Sequence, residues 1–526
     1  MTPAIFGGKK LPPISHRATL PCEGGKGEEM RLSRVIEGTG ASLGHAPDAD
    51  VSLVTADSRK VKPGALFVAI PGTRADGAAF APAAARAGAA AVLAERAVEC
   101  PPAPVLLVPS ARRALAVAAA NLHGRPGERL ALCGVTGTKG KTTVTYLVEA
   151  CAEAAGVPSG VIGTVNVRLP GRTLPASHTT PDAAELQEIL AAMVAAGARV
   201  GILEVSSHAL DQERVAGLPF RAAGFTNLGR DHLDYHPDVE SYFEAKRRLF
   251  TEGLARDGIA VVNAADAHGA RLAALLRQAG RTVWRTGVPG AEIAARDVSS
   301  DMSGIRAVLG TPRGDVAVAS PLVGAHNLEN LTIAAGLALA LGLPPAAVSA
   351  GLSASRGAPG RLERIDGRGV SAFVDYAHTP DSLSAACAAI RALSPRRLLL
   401  VFGCGGDRDR GKRPLMGGAA GLAADLVVVT SDNPRTEAPG AIIDEIVPGV
   451  AGAGLSRLSR AQVLEGQRGF TVEEDRRTAI ALALSAARPG DAVLIAGKGH
   501  EDYQIVGAEK RPFDDREEAR RGLGAA

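Results

Sequence analysis

The segment at residues 137–143, Gly-Thr-Lys-Gly-Lys-Thr-Thr, constrains the fold of this 526-residue chain more than any other feature. An apolar run at 130–135 precedes it, and a helix-like stretch at 144–155 follows it. The apolar run has the length of a buried strand. The three parts therefore predict a strand, a phosphate-binding loop and a helix in that order.

Each residue type in this loop has a chemical reason. Glycine at Gly137 and Gly140 allows backbone N–H groups to close on phosphate oxygens. Lys141 supplies a positive charge and Thr142 a hydroxyl for Mg²⁺. The usual pattern has its first glycine where this chain has Val135, so a plain glycine-rich turn is the alternative. We favour the phosphate loop, which predicts binding of a nucleoside triphosphate.

The length of the chain and its glycine and proline clusters predict three domains. At about 150 residues per domain, length alone gives three or four. Clusters at 124–127 and 356–360 mark boundaries. The predicted divisions are a disordered leader at 1–29 and domains at 30–125, 126–355 and 356–526.

Composition argues against several classes of protein. The net charge is only +4 and aromatic residues make up 3%, so stacking surfaces for nucleic acid are scarce. The six cysteines show no Cys-x-x-Cys spacing, which predicts free thiols in a reducing cytosol. The most apolar stretch, 331–343, is shorter than the ~20 residues of a membrane span. We therefore expect a cytoplasmic protein that neither binds nucleic acid nor inserts into a membrane.

Apolar runs of strand length alternate with alanine- and leucine-rich helical stretches along the chain. This alternation predicts an α/β fold with mainly parallel sheets. Such sheets place their ligands at the carboxyl ends of the strands. The predicted strands lie at 65–70, 105–108, 200–205, 259–263, 372–375, 398–402, 426–430 and 492–495.

Two regions with chemical potential follow predicted strands. Glu204 ends the strand at 200–205 and can hold Mg²⁺ opposite the phosphate loop, although a helix N-cap acid is the alternative. Residues 226–236 contain two aspartates and two histidines, which indicates a metal or phosphate site, or else a solvated turn. The chain has eleven lysines against forty-eight arginines. Lys246 is therefore a candidate for a role that needs an amine able to lose its proton.

Seven motifs in a fixed order resemble those of the Mur ligase family. They are GTKGKTT (137–143), HTTPD (178–182), EVSSHALDQERV (204–215), TNLGRDHLDYH (226–236), FGCGGDRDRGKRP (402–414), SDNPRTE (431–437) and GKGHEDYQ (497–504). The resemblance covers about residue 30 to the C-terminus. It implies a three-domain architecture, with a UDP-sugar domain, a central P-loop parallel-sheet domain that binds ATP, and a Rossmann-like C-terminal domain for an incoming amino acid.

The resemblance also implies two metal sites beside ATP. Thr142 and Glu204 would hold one Mg²⁺, and His232 and Lys246 would complete a second site. The family lysine is carbamylated, which turns a cation into a carboxylate-like ligand and excludes arginine. The implied catalytic residues are Lys141, Glu204, His232 and carbamylated Lys246. The implied ATP contacts are Gly137, Thr138, Lys139, Gly140, Lys141, Thr142, Thr143, Asn327 and His378.

The residues implied for the UDP-sugar peptide lie in three parts of the chain. They are Ser58, Thr73, Arg74, Ala75, Thr179, Thr180, Ser206, Gln212 and Arg214. The family often has asparagine where this chain has His178. A histidine can still donate one hydrogen bond at that position.

The segment at 432–435, Asp-Asn-Pro-Arg, resembles family members that add meso-diaminopimelate rather than L-lysine. Diaminopimelate has one carboxylate more than lysine. The planar fork of Arg435 can hold that carboxylate through two hydrogen bonds, and Asp432 can neutralise the accompanying ammonium. The implied contacts with diaminopimelate are Arg408, Asp432, Asn433, Pro434, Arg435, Gly497 and Glu501.

The resemblance implies an ATP-dependent amide ligase of peptidoglycan precursor synthesis. Independently of the resemblance, we expect a monomer. The ligase would join meso-diaminopimelate to the D-Glu γ-carboxylate of UDP-N-acetylmuramoyl-L-Ala-D-Glu through an acyl phosphate, with ATP and Mg²⁺. A lysine-adding family member and a folylpolyglutamate synthetase-like ligase are the alternative enzymes. A non-catalytic nucleotide-binding module is a third possibility, which the presence of Glu204, His232 and Lys246 opposes.

Overall fold

The computed structural model describes residues 29–72 and 75–525. The chain divides into two compact units. The first runs to Gly124 and includes Arg172–Leu174, and the second comprises Arg125–Gly171 and the chain from Pro175 onward. Within the described ranges, no helix is both long enough and apolar enough to cross a membrane.

The first unit is a small α/β fold. Its elements are β1 (Met30–Arg31), α1 (Leu32–Val35), β2 (Asp50–Val51), β3 (Leu53–Thr55), β4 (Ala65–Ala69), α2 (Ala81–Arg86), β5 (Ala91–Ala94), β6 (Val105–Leu107) and α3 (Ala111–Leu122). Strands β3, β4, β5 and β6 form a parallel sheet in that order. Every residue of β4 and β5 is buried, as expected for parallel strands covered on both faces.

The second unit begins with a larger α/β fold around the phosphate loop. Its strands are β7 (Ala131–Thr136), β8 (Ser159–Ile162), β9 (Asn166–Leu169), β11 (Val200–Glu204), β12 (Phe220–Phe225), β13 (Leu254–Asn263), β14 (Thr282–Thr286), β15 (Ala294–Asp301), β16 (Gly304–Gly310) and β17 (Val316–Ser320). Its helices are α4 (Lys141–Ala154), α5 (Ala183–Ala195), α6 (Ser207–Asp211), α7 (Val239–Arg248), α8 (Ala267–Gln278), α9 (Ala325–Ala340) and α10 (Pro345–Ala354). Strand β10 (Arg172–Pro175) consists mainly of the residues Arg172–Leu174 that belong to the first unit.

Strand β7 lies in the middle of the main sheet of this fold. The order is β9-β8-β11-β7-β12-β13-β14, and the neighbours are parallel except for β8 and β9. A separate antiparallel sheet is formed by β15, β16 and β17. The carboxyl ends of β11 and β12 therefore flank the loop that follows β7.

Helix α4 is held by close packing against α10. A Cβ on Gly351 of α10 would lie 2.5 Å from the Cα of Cys151 of α4, so the two helix backbones touch. Val144 and Leu147 of α4 also lie in one buried apolar core with Leu337 of α9. This packing fixes the helix whose first turn ends the phosphate loop.

The C-terminal part of the second unit is a second α/β fold. Its strands are β18 (Glu363–Gly367), β19 (Val370–Asp375), β20 (Leu398–Phe402), β21 (Leu426–Val429), β22 (Gly469–Val472), β23 (Ala492–Ala496), β24 (Tyr503–Val506) and β25 (Glu509–Pro512). Its helices are α11 (Pro380–Arg391), α12 (Lys412–Ala423), α13 (Pro439–Gly452), α14 (Arg460–Glu465), α15 (Arg476–Ala486) and α16 (Asp515–Leu523).

Six of these strands form a sheet with an apolar core on each face. The order is β18-β19-β23-β20-β21-β22, and only the pair β18 and β19 is antiparallel. Along β20, Leu398 and Leu400 point into one core, and Leu399 and Val401 point into the other. This alternation is the period of two of a strand buried on both faces.

The predicted α/β fold with mainly parallel sheets is confirmed. Each predicted strand overlaps an observed one, and the run at 259–263 is the second half of β13. The predicted strands leave out several observed ones, among them the buried β5 and β12 and the largely exposed β15 and β25, which contain no apolar run. The predicted domain boundaries stay predictions, and the predicted leader lies outside the described residues up to position 28.

Arg476 and Asp515 form a fully buried ion pair, 2.7 Å apart, between the first residues of α15 and α16. We expect Asp515→Ala to lower the free energy of unfolding by about 3–5 kcal/mol, because it leaves a buried guanidinium without its partner. Urea unfolding followed by circular dichroism measures this loss.

Glu509→Ala is the matched control, because Glu509 pairs with Arg511 on the exposed hairpin β24–β25. Its expected effect is below about 1 kcal/mol. Equal losses in the two variants would contradict the importance of the buried pair.

Candidate active site

Two glycines shape the loop between β7 and α4. Gly137 has φ +143° and Gly140 has φ +89°, values that residues with a side chain rarely adopt. A Cβ on Gly137 would lie 1.9 Å from Oγ1 of Thr226, and a Cβ on Gly140 would lie 2.5 Å from Oδ1 of Asn330. The loop therefore needs glycine at both positions, for its conformation and for space.

The segment after β12 holds this loop in place. The N–H of Thr138 donates to the carbonyl of Asn227 (2.9 Å), and the N–H of Lys139 donates to Oδ1 of Asn227 (3.0 Å). Oγ1 of Thr226 donates to the carbonyl of Lys139 (2.6 Å). These bonds hold the loop at the start of α4. The first N–H groups of a helix have no partner within the helix, so this end of α4 favours a bound anion.

Two lysine amines meet at one backbone oxygen. Nζ of Lys141 and Nζ of Lys246 each donate to the carbonyl of Gly137, both at 2.9 Å. Lys246, on α7, is 1% exposed, and its Nζ lies 4.4 Å from the centroid of the Tyr242 ring. Burial, together with the charge of Lys141, holds the pKa of Lys246 well below its ordinary value. The site therefore favours an uncharged amine at Lys246.

Glu204, at the end of β11, accepts hydrogen bonds from two threonines. Its Oε2 accepts from Oγ1 of Thr142 (2.9 Å) and of Thr164 (3.0 Å), and its Oε1 accepts from the N–H of Thr164 (2.8 Å). Ser206, not Glu204, caps the N-terminus of α6, so Glu204 does not serve as a helix cap. Thr142 and Glu204 together present a hydroxyl and a carboxylate oxygen, the type of ligand that Mg²⁺ prefers.

His232 lies at the rim of this site. Its backbone has φ +54° and its side chain is 44% exposed. Its ring centroid lies 6.1 Å from that of Tyr242, the ring that also contacts Lys246. In the described part of the chain, no group of three or more His, Cys, Asp or Glu side chains could hold a metal ion. The second metal site stays a prediction that needs an added carboxylate at Lys246.

The two other predicted ATP contacts lie in different elements. Asn327, in the first turn of α9, accepts at Oδ1 from Nδ2 of Asn330 (3.0 Å). Asn330 is the residue that packs against Gly140 of the loop. Asn327 therefore reaches the loop only through its hydrogen bond with Asn330, which lies outside the seven motifs. His378 follows β19, is exposed, and has its Nδ1 2.8 Å from the carbonyl of Tyr376.

Arg361 is a candidate residue that motif analysis misses. Its Nε is buried and has no hydrogen-bond partner among the residues that the structure describes. Its guanidinium lies 4.9 Å from the centroid of the Tyr376 ring. Burial lowers the pKa of Lys141, and the charge of Arg361 is a further cause in the same direction. A buried donor in this position suits a phosphate oxygen.

Four of the residues predicted for the sugar-peptide substrate form one network beside Glu204. Thr180 donates through Oγ1 to the carbonyl of Glu204 (2.8 Å) and accepts from the N–H of Ser206 (3.1 Å). Arg214 donates through Nη1 to the carbonyl of Thr180 (2.7 Å) and through Nη2 to Oε1 of Gln212 (2.8 Å). The network places polar side chains next to the backbone of Glu204, whose carboxylate faces the phosphate loop.

The other predicted sugar-peptide contacts are more scattered. Thr179 has its Oγ1 3.0 Å from Oγ1 of Thr164. Ser58 begins a short 3₁₀ helix of the first unit, and Ala75 is exposed in the same unit. Thr73 and Arg74 lie outside the described residues.

A second polar site lies at the carboxyl ends of β21 and β23. Asn433 is buried there, and its Oδ1 accepts from Nζ of Lys498 and from the N–H of Ile505, both at 2.9 Å. Its Nδ2 donates to Oε2 of Glu501 at 2.9 Å. Lys498 lies in the motif at 497–504, but the sequence assigns it no role.

Asp432 faces the same lysine and a glycine. Its Oδ1 lies 3.4 Å from Nζ of Lys498, and a Cβ on Gly497 would lie 3.1 Å from its Oδ2. Behind it, Arg476 donates to the carbonyls of Ser431 (3.3 Å) and Ala496 (3.0 Å). The buried pair of Arg476 with its aspartate therefore ties the ends of β21 and β23 together.

Arg435 is anchored to the neighbouring loop. It has φ +53°, and its Nη1 donates to the carbonyl of Gly406 at 2.8 Å. A Cβ on Gly406 would lie 1.9 Å from the carbonyl oxygen of Pro434, so the two loops pack tightly. Arg408, two residues after Gly406, is exposed. The structure thus brings the predicted Arg435 and Pro434 into contact with the loop that carries Arg408.

The fold and these two sites define a member of the Mur ligase family, to which the chain belongs. Three family profiles match it: the Mur ligase family catalytic domain at residues 50–123, the Mur ligase middle domain at 135–338, and the Mur ligase glutamate ligase domain at 360–499. The phosphate loop falls in the second match and Asn433 in the third.

The chain is 50% identical to the UDP-N-acetylmuramoyl-L-alanyl-D-glutamate--2,6-diaminopimelate ligase of Gloeobacter violaceus, over 94% of this chain and 98% of that relative. The ligase of the same name from Geobacter metallireducens is 46% identical, over 93% and 96%. A solved structure with this name aligns with a TM-score of 0.69 and 33% identity, over 94% and 99%. Mycobacterium tuberculosis folylpolyglutamate synthase aligns with a TM-score of 0.57 and 22% identity, over 73% and 91%, which shows a shared fold.

We expect Gly137→Ala to weaken binding of a non-hydrolysable ATP analogue by about 10- to 100-fold, because the new methyl group would collide with Thr226. Isothermal titration calorimetry measures the affinity. Gly156→Ala is the matched control, since Gly156 also has positive φ (+66°) but has no atom within 4 Å of the added Cβ. Equal affinities in the two variants would contradict this role of Gly137.

Proposed function

We propose that this chain is an ATP-dependent ligase that joins meso-diaminopimelate to the D-Glu γ-carboxylate of UDP-N-acetylmuramoyl-L-Ala-D-Glu in peptidoglycan precursor synthesis. One observation carries the proposal: a single unit combines a phosphate loop facing a strand-end carboxylate with a second strand-end site in which one buried lysine lies between two carboxylates. The first arrangement suits a nucleotide and the second suits a zwitterion. The names of the nearly full-length relatives support the choice of substrates.

The first half-reaction activates the carboxylate. A carboxylate is a poor electrophile, so the γ-phosphoryl group of ATP moves to the D-Glu γ-carboxylate and gives an acyl phosphate and ADP. The N–H groups of the first turn of α4 and the ammonium of Lys141 would stabilise the phosphate charge. Arg361 would add a further donor from the C-terminal part of the unit.

Thr142 and Glu204 would hold Mg²⁺ beside these phosphates. Their oxygens lie 2.9 Å apart at the loop, and Mg²⁺ in such sites takes one or two carboxylates and completes its shell with phosphate oxygens and water. When bound, the ion neutralises charge on the phosphates. The donor set fits this cation.

Lys246 would act as a carbamate. An uncharged amine adds to CO₂ through its lone pair and releases one proton, which leaves a carboxylate-like group on the side chain. The depressed pKa of Lys246, caused by burial and then by Lys141, supplies the uncharged amine. The new oxygens would lie beside Tyr242 and provide the carboxylate that a second metal site with His232 requires.

The second half-reaction forms the amide. An amine of diaminopimelate attacks the acyl phosphate carbon, phosphate leaves, and the nitrogen loses a proton. Nη1 of Arg435 donates to the carbonyl of Gly406, while its Nε and Nη2 donate to no other described residue. These two nitrogens would donate in parallel to the carboxylate at the far end of diaminopimelate. Asp432 and Glu501 would pair with the ammonium group at the same far end of diaminopimelate. L-Lysine would leave Arg435 unpaired, which disfavours it.

The alternatives are less well supported. The folylpolyglutamate synthase alignment covers 73% of this chain, against 94% for the diaminopimelate ligase structure. A lysine-adding enzyme has no need of a donor edge like that of Arg435. A non-catalytic nucleotide-binding module does not account for the buried amine of Lys246 at the loop.

Two further properties belong to the proposal. We place the enzyme in the cytoplasm, because its three substrates are polar metabolites and ATP is supplied there. We also expect a monomer in solution, since each of the two sites is built within one unit of one chain.

The substrate assignment predicts phosphate release from ATP, Mg²⁺ and the UDP-muramoyl dipeptide with meso-diaminopimelate, and release slower by about 10⁴-fold with L-lysine. A colorimetric phosphate assay with the two amino acids in parallel makes the comparison. Equal rates would overturn the diaminopimelate preference alone. No release with either would overturn the ligase proposal.

Lys246→Ala and Lys246→Arg should each lower kcat by at least about 100-fold, because neither side chain forms a carbamate, and Lys246→Ala should still fold and bind ATP. The phosphate assay and thermal unfolding give the two readouts. Arg247→Ala is the matched control on the same helix, where Arg247 pairs with Glu244 near the surface. Full turnover in Lys246→Arg would rule out the carbamate.

A further inference from the structure

Lys498 is a fully buried lysine that the proposed chemistry does not use. It is 0% exposed, and its Nζ donates to Oδ1 of Asn433 (2.9 Å) and to the carbonyl of Tyr503 (2.6 Å). It also lies 3.4 Å from Oδ1 of Asp432 and 3.7 Å from Oε2 of Glu501. Four oxygens from two chain segments therefore surround one ammonium group.

These contacts determine which way round the amide of Asn433 sits. Its Oδ1 accepts from two donors, Nζ of Lys498 and the N–H of Ile505. A reversed amide would place its NH₂ group against both donors. The NH₂ group must therefore point away from Lys498, where it donates to Oε2 of Glu501.

Burying this lysine is tolerable because its neighbours are anionic. Oδ1 of Asp432 is buried and has no hydrogen-bond partner among the described residues, although it lies 3.4 Å from the ammonium. The ammonium and the two carboxylates thus compensate one another in a region of low dielectric. A compact ammonium with three donors fits among four oxygens, whereas a planar guanidinium would not.

We propose that Lys498 is a positioning residue for the incoming amino acid: together with the N–H of Ile505 it fixes the amide of Asn433 so that its NH₂ group, rather than its oxygen, faces Glu501 and the amino-acid site. Lys498 itself is buried behind these groups and touches no substrate. The fixed NH₂ group adds a second donor, beside Arg435, for a carboxylate of the bound amino acid. This inference rests on the proposed function of the same site.

Lys498→Met tests it by removing the ammonium while keeping the length of the side chain. The KM for meso-diaminopimelate should rise by about 10- to 100-fold, the range for a lost hydrogen bond to a charged group. The KM values for ATP and for the UDP-muramoyl dipeptide should stay within about threefold, because the phosphate loop lies in another sheet. A uniform change in all three KM values, or none, would overturn the inference.

Lys510→Met is the matched control. Lys510 is exposed on β25, and its Nζ lies 3.6 Å from the centroid of the Tyr503 ring, so it shares a neighbour with Lys498 but makes no contact with Asn433. All three KM values should match those of the native enzyme. A rise for diaminopimelate as large as in Lys498→Met would assign the effect to the hairpin and overturn the inference.

A double-mutant cycle gives an independent check, with Lys498→Gln in place of Lys498→Met where the latter does not fold. Asn433→Ala removes the group that Lys498 orients, so adding the Lys498 substitution should raise the KM for diaminopimelate by no more than about threefold further. If the factors by which the two single substitutions raise the KM for diaminopimelate simply multiply in the double variant, the inference is overturned. A native enzyme that shows no diaminopimelate-dependent phosphate release would instead overturn the proposed function.

Discussion

The carbonyl oxygen of Gly137 is the point on which the rest of the site depends, because it accepts from both Lys141 and Lys246 at 2.9 Å. Two ammonium groups so close would repel each other strongly in a buried site. Loss of the Lys246 proton removes that repulsion. Gly137 adopts φ +143°, a conformation that residues with a side chain rarely reach. The loop thus contacts, and through Lys141 helps to lower the pKa of, a side chain 109 residues away in sequence.

Parallel pairing explains how distant residues reach these sites. Strands β11 and β12 flank β7, so Glu204 and the segment after Phe225 arrive at the phosphate loop from opposite sides. In the C-terminal sheet, the ends of β21 and β23 bring Asn433 and Lys498 together. Both sites use the carboxyl ends of strands. The two sites suit different ligands. The loop after β7 presents N–H groups and lysine amines, which suit phosphate, whereas the ends of β21 and β23 present cations beside carboxylates, which suit an amino acid.

The sequence predicts the features whose signal is local. The loop at 137–143 and the strand ending in Glu204 are recognisable from spacing, and parallel pairing then makes their contact expected. Arg361 and Asn330 carry no local signal, because their roles arise from packing between segments that are remote in sequence. Lys498 lies in the motif at 497–504, but the four oxygens around it are brought together only by the fold.

The state of Lys246 can be observed directly by carbon-13 NMR of the full chain equilibrated with ¹³C-labelled bicarbonate. Because the pKa of Lys246 is lowered, its amine should react with CO₂, and the native protein should show one carbamate resonance. That resonance should be absent from Lys246→Ala and retained in Lys498→Met. A native spectrum without that resonance, or a resonance that persists in Lys246→Ala, would contradict the claim that the loop holds Lys246 as an uncharged, reactive amine.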